Sequence, residues 1–487
     1  MLLPLIILVP TAAGIASYLI RSNPLRRALW FGAAATHLVL SALAATSSPA
    51  EPLGTWIGLD ALSAIFLVLT STLFVGATIY GFGYLNREPV APQPDSEDGS
   101  LIKNEPEPVF TGGILLLLAT MSLAIVSRHL ALQWVAIEAT TLASAPLIYF
   151  HRTRRSLEAA WKYLILCSVG IAVALLGIFF ILMAMQGEHR DLTLAALLQQ
   201  AGTLNHKWLS TAFIFILVGY GTKMGLAPLH TWLPDAHSEA PSPVSALLSG
   251  ALLNCAFLGI LRMQQVCAAA GMARFGGDLL VLFGLLSMGI AGVFILRQTD
   301  YKRMLAYSSV EHMGILAIGV GLGGIGLFGS FLHAVNHSVV KAMLFLTAGN
   351  LMARFHTKDT AKIQGACRAL PISGVLWVAG FLAITGSPPF GTFISEFTIL
   401  RATIEQERWI VTGLYSLFLV VVFVGMSAIV LKMALGKSQE SPTREPWTTV
   451  LAPLVFAGIA TLLGVYLPGP LLDKLNLAAQ LLGGPVQ

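Results

Sequence analysis

Six ionisable residues stand inside long apolar stretches of this 487-residue sequence: Glu138, Lys223, His333, His337, Lys341 and Glu396. A charge at membrane depth costs at least about 2.5–3.5 kcal/mol, so a chain that keeps several of them uses them. Carboxylate, amine and imidazole groups pass protons, and proton transfer is the chemistry this set predicts. His333, His337 and Lys341 fall at i, i+4 and i+8. On a helix, successive members lie about 6 Å apart along the axis and drift about 40° per step, which makes one stripe. Waters bridging neighbours on that stripe would complete a relay; the competing role is interhelical hydrogen bonding.

Lys223 lies in Gly219-Tyr-Gly221-Thr-Lys223-Met-Gly225-Leu-Ala-Pro228, where glycines loosen a helix and proline interrupts it. Broken backbone at membrane depth is tolerated where it borders protein or a wet cavity. Burial disfavours a lysine's charge and a nearby carboxylate restores it, so a movable carboxylate would switch Lys223 between holding and releasing a proton. Glu138, midway along its apolar stretch, is the candidate partner; a static ion pair is the alternative. Glu396 follows a second interruption, Gly386-Ser-Pro388-Pro389-Phe-Gly391. It suits the exit end of a relay, or else accepts hydrogen bonds at the helix break. Lys162 follows Glu158 by four residues, a favoured ion-pair spacing. It also lies near a membrane edge, where lysine snorkels, so it divides between relay and anchor. His230 and His237 flank Trp232, Pro234 and Asp235 and read as a polar turn or a point of proton uptake. Glu311 and His312 are secondary candidates.

These groups need a membrane-spanning scaffold, and the composition supplies one. The chain is 56% hydrophobic and 11% charged, where a soluble domain is about 25% charged. Met1–Ile20 carry no charge, and Arg21, Arg26 and Arg27 follow. A cleavable signal has its charge first, so this stretch reads as a retained spanning helix. The net charge of +5 reads as loop charge, and no basic, aromatic-interleaved tract suggests nucleic acid. Cys167, Cys255, Cys267 and Cys367 are far apart, which argues against an iron–sulfur or zinc site, and there is no glycine-rich phosphate loop. The chain is expected to hold no metal or cofactor of its own and to do no covalent chemistry.

A spanning helix takes about 20 apolar residues. The pattern predicts an all-α polytopic membrane protein with 14 spans, at 2–20, 28–46, 60–82, 109–127, 130–149, 158–185, 209–227, 243–264, 276–296, 304–322, 325–352, 371–400, 409–433 and 448–467. The sixth, eleventh and twelfth are long enough to be tilted or broken, and the Gly/Pro interruptions put breaks in the seventh and twelfth. With the N-terminus outside, the inner loops hold 18 Lys and Arg and the outer ones 8. That bias favours an even number of spans with both termini outside. The loop at 83–108 carries Pro92, Pro94, Asp95, Glu97, Asp98, Glu105 and Glu107 and reads as polar and irregular. A faint repeat is visible. Glu158-Ala-Ala-Trp-Lys162 resembles His337-Ser-Val-Val-Lys341, and Lys223 and Glu396 follow the two lysines by 61 and 55 residues. Five spans separate the equivalents, so the copies would be inverted, a transporter signature.

Longer motifs carry a family resemblance. Lys223-Met-Gly-Leu-Ala-Pro-Leu-His-Thr-Trp-Leu-Pro-Asp-Ala-His237 and Glu239-Ala-Pro-Ser-Pro-Val-Ser-Ala-Leu-Leu-Ser-Gly250 resemble the antiporter-like subunits of respiratory complex I, Mrp-type antiporters and membrane-bound hydrogenases. Asp300-Tyr-Lys-Arg-Met-Leu-Ala-Tyr-Ser-Ser-Val-Glu-His-Met-Gly314 and His333-Ala-Val-Asn-His-Ser-Val-Val-Lys341 match the same family. The combination of Pro243-Val-Ser-Ala-Leu-Leu-Ser-Gly-Ala-Leu-Leu-Asn-Cys255 with Ser308-Ser-Val-Glu-His-Met-Gly314 most resembles the F component of hydrogenase-4. The resemblance implies two inverted five-helix repeats, which divides the chain into 1–108, 109–264, 265–434 and 435–487. It also implies a proton route through Glu138, Lys223, His337, Lys341 and Glu396. Glutamate at 396 resembles the M-type subunit of complex I. Asn254 stands where the family often has lysine or histidine, and an asparagine orients water without changing its own protonation.

The resemblance implies an ion-translocating subunit coupled to redox chemistry in other chains. Its partners would be other antiporter-like subunits, a D/H-like membrane anchor and a peripheral redox arm. Any nickel–iron centre, iron–sulfur cluster or quinone would belong to those partners. The expected location is a bacterial or archaeal cytoplasmic membrane. Two other readings stay open: an Mrp-type cation/proton antiporter or inorganic-carbon uptake subunit, and a non-conducting scaffold, which Asn254 keeps alive.

Overall fold

In hydrocarbon, an apolar chain satisfies its backbone polar groups within the segment itself, and the helix does this. The computed structural model describes residues 2–47, 56–88, 93–94, 101–185, 190–436 and 441–484. Among these the chain is all-helical apart from one two-residue ladder, Gln93–Pro94 against Leu101–Ile102. The helices are α1 Leu2–Leu19, α2 Asn23–Thr46, α3 Ala61–Leu85, α4 Glu107–Val126, α5 Leu130–Ile148, α6 Arg154–Ala184, α7 Leu194–Gln199, α8 His206–Met224, α9 Trp232–Glu239 and α10 Ser242–Leu247. After a π-helical turn at Leu248–Leu252 come α11 Leu253–Ala269, α12 Ala273–Ile295, α13 Tyr301–Leu322, α14 Ile325–Phe355, α15 Ala366–Ala369, α16 Pro371–Ile384, α17 Gly391–Glu405, α18 Trp409–Leu435, α19 Trp447–Val465 and α20 Gly469–Gln480.

Among the described residues, 12 helices are long and apolar enough to cross a membrane. The shortfall from the 14 predicted spans falls on the two expected to be interrupted. The seventh is α8, whose apolar character His206, Lys207, Tyr220 and Lys223 dilute. The twelfth is split into α16 and α17, with 14 and 15 residues. The sixth and eleventh are unbroken helices of 31 residues, α6 and α14. The π-helical turn inside the eighth has no announcement in the sequence. Of the polar loop at 83–108, residues 89–92 and 95–100 lie outside the described residues.

α14 is the axis of the molecule: every residue from Gly326 to Leu351 is buried. Around it pack α3, α10, α13, α16, α17 and α19. α4 packs on α5, α6 on α8, α12 on α13 and α14 on α17. Small residues allow the closest crossings, as van der Waals packing in lipid requires. Where α12 meets α13, a Cβ on Gly284 would stand 2.6 Å from Gly314 O, and a Cβ on Gly314 would stand 2.6 Å from Gly284 O.

An ion-pair lock fastens α3 to α11 at one end of the bundle. Asp60 caps α3 by accepting from Ser63 N at 2.9 Å. Arg262 donates to both Asp60 oxygens, at 2.6 and 3.0 Å, and Arg128 donates to Oδ2 at 3.3 Å. Burial pushes the Asp60 carboxyl up, but the arginines and the capped amide outweigh it and hold it well below the usual carboxylate range.

Candidate proton-transfer site

The first group of charges lies where α5, α6 and α8 meet. Lys223 is fully buried, in the last turn of α8. A helix ending there turns its negative pole towards the ammonium. The ending is built by Gly225, which takes φ +87°, and by Trp232 Nε1, which donates to Thr222 O at 2.8 Å. Lys223 Nζ donates to Thr141 Oγ1 at 2.9 Å and to Tyr163 OH at 2.5 Å. Thr141 Oγ1 lies 3.3 Å from Glu138 Oε2, one turn back on α5, and Ser168 Oγ donates to Glu138 Oε1 at 2.7 Å. Lysine and glutamate therefore do not touch; they share a hydroxyl. Glu138 itself is half-buried, on a face of α5 that exposes Val135 and Leu142.

The second group surrounds α14. His333, His337 and Lys341 are all fully buried on it. The stripe expected from their spacing is met by α13 rather than closed on itself. His312 Nδ1 and His333 Nε2 are hydrogen-bonded at 2.8 Å, and the His312 and His337 rings lie 4.9 Å apart. His333 Nδ1 pairs with Ser395 Oγ of α17 at 3.0 Å. Lys341 Nζ donates to Leu305 O at 2.6 Å and to Ser308 Oγ. Glu396 is buried one turn into α17, against Gly386 in the α16–α17 break, where φ is +64° and a Cβ would overlap the carboxylate. A ring nitrogen of His312, a ring nitrogen of His333 and a carboxylate oxygen of Glu396 lie within 4.8 Å of one another.

The remaining candidates separate. Lys162 is half-exposed and bound to Glu158 at 2.6 Å and Asp235 at 2.9 Å, apart from both buried groups. Asp235 also pairs with Arg303, at the rim of a cleft of about 690 Å³ that Ser238, Glu239 and Lys358 help to line. Directly behind Ser238, His237 is fully buried and stacks on Phe345 of α14. His230 is buried 6.2 Å from the Tyr307 ring, away from α14. Asn254 ties α11 to α14: its Nδ2 donates to Ser338 Oγ and to Gly250 O in the π-helical turn, each at 2.9 Å.

Several buried polar atoms have no hydrogen-bond partner among the described residues: both ring nitrogens of His237 and of His337, Asn254 Oδ1, both amide atoms of Asn336 and Glu396 Oε1. Buried polar atoms take partners, and bound water serves where protein does not. The sequence reading missed the hydroxyls of Thr141, Tyr163, Ser168, Ser308 and Ser395. For Thr141 a signal existed, since it lies at i+3 from Glu138.

Residues 127–422 match the transmembrane family described as NADH:quinone oxidoreductase/Mrp antiporter. The chain belongs to this family. All six residues singled out at the start lie within the matched region. The hydrogenase-4 component F homolog of Methylacidiphilum infernorum is 36% identical over 431 residues, covering 86% of this chain and 87% of that one. Solved structures share the fold. A chain of the membrane-bound sulfane sulfur reductase, an archaeal respiratory membrane complex, superposes with a TM-score of 0.87 at 22% identity, covering 99% of this chain and 97% of its own. A chain of the Mrp complex from Dietzia has a TM-score of 0.82 at 19% identity, covering 98% and 96%.

Proposed function

We propose that this chain is a proton-translocating membrane subunit of a hydrogenase-4-like or complex I-like oxidoreductase. The observation that carries this reading is the Lys223–Thr141–Glu138 chain: a buried ammonium and a half-buried carboxylate held one hydroxyl apart. Moving Glu138 towards Thr141 favours the charged lysine, and withdrawing it releases the proton. The proton then passes along Asn254-ordered water to His337, Lys341 and the His312–His333–Glu396 cluster. Uptake is at the cleft lined by Ser238 and Glu239, with His237 behind it. Lys162 holds the rim and takes no part, and neither does His230, which is buried beside Tyr307.

Redox chemistry in partner chains would move Glu138. A nickel–iron centre, iron–sulfur clusters or a quinone belong to those partners, which include other antiporter-like subunits, a D/H-like membrane anchor and a peripheral arm. The chain would lie in a bacterial or archaeal cytoplasmic membrane with both termini outside, as two inverted repeats at 109–264 and 265–434. Lys223→Ala in the intact assembly should abolish proton uptake by vesicles while the assembly still forms. Unchanged uptake would refute the assignment.

A further inference from the structure

Glu311 is a buried carboxylate on α13, 3% exposed, that makes no hydrogen bond among the described residues. Such a group is costly unless it has work to do or a charge to meet. Its surroundings repeat the chemistry of the first half. There, a lysine ammonium rests on a hydroxyl three residues from a glutamate, Lys223 on Thr141 beside Glu138. Here, Lys341 rests on Ser308, three residues before Glu311 on the same helix. The separations in sequence agree as well. Glu138 precedes Lys223 by 85 residues, and Glu311 precedes Glu396 by 85. Each glutamate therefore stands at the same distance ahead of the charged residue of a broken helix. The next residue after Glu311 is His312, whose ring is bonded to His333.

Resting on the relay proposed above, we infer that Glu311 is its second movable carboxylate, taking the proton from Lys341 and handing it to the His312–His333–Glu396 cluster. In the first step the ammonium becomes an amine and the carboxylate a carboxylic acid. In the second the acid gives its proton to an imidazole or to Glu396, and the carboxylate is restored. Ser308 and Glu311 are about 4.5 Å apart along the axis. A lysine side chain spans that by a rotamer change, without any shift of α14.

The test uses the intact assembly in vesicles. Glu311→Gln should slow proton flux about a hundredfold, the scale of a lost proton-transfer group. Glu311→Asp should keep a measurable part of it. Infrared difference spectra across an imposed pH step should show a protonated-carboxyl band that Glu311→Gln removes. A static counter-ion stays ionised and gives no such band, so a wild-type spectrum unchanged by Glu311→Gln overturns the inference. So does undiminished flux in that variant. If Lys223→Ala stops flux while Glu311→Gln does not, this inference fails and the proposed function stands. If neither stops it, the proposed function fails too.

Discussion

Thr141 stands between Lys223 and Glu138: its hydroxyl accepts from the ammonium on one side and donates to the carboxylate on the other. Thr141→Val keeps the shape and removes that oxygen. The lysine loses one of two partners, at a cost of about 1–3 kcal/mol. Proton flux should fall sharply, and Thr141→Ser should restore it; flux assays on both variants check this. The charged members of the site were legible because charge is rare in apolar sequence, and six of them stood out at once. Their hydroxyl partners were not legible. Serine and threonine are common in spanning helices, where they bond to their own backbone, as Ser144 does to Thr140 O at 2.6 Å. His312 was visible only as a secondary candidate, since nothing in α13 alone says that its ring will meet α14. Lys162 shows the reverse: its i+4 spacing from Glu158 announces an ion pair, and the structure pairs it with both Glu158 and Asp235.

Helix ends and helix crossings set the scaffold. At the capped end of α3, Asp60 binds an Arg262 that is 1% exposed. Asp60→Asn would leave that cation buried without its counter-charge, costing about 3–5 kcal/mol. Thermal unfolding in detergent should show a clearly lowered midpoint. The native carboxyl is held below its unfolded value of about 3.9. Its stabilisation is therefore complete above that value and is lost only as pH falls through the lower folded value. Titration of Asp60 should thus leave stability flat between about pH 5 and pH 8. At the crossing of α12 and α13, Gly314→Leu has no room beside Gly284 O and should cost at least about 1–3 kcal/mol. The amount of folded chain extractable from membranes measures that loss. The long helices were readable because hydrocarbon permits little else. The π-helical turn was not. It arises where Gly250 meets Ser338 of α14 and Leu73 of α3, a contact between distant parts of the chain.

For the molecule as a whole, Lys223, His333, His337, Lys341 and Glu396 are buried, and Glu138 is half-buried. That carboxylate shares an outer face with Val135 and Leu142 of α5 and with Ile165 and Val169 of α6. A neighbouring protein seated there would cover the acid. The same geometry bears on how the cell treats a copy made in excess. Unassembled, it would keep a half-buried acid beside an apolar outer face with nothing covering it, a flaw that the membrane's quality-control proteases can detect. Orphan copies should then be cleared quickly, and Glu138→Leu, useless for transport, should outlive them in a pulse-chase experiment.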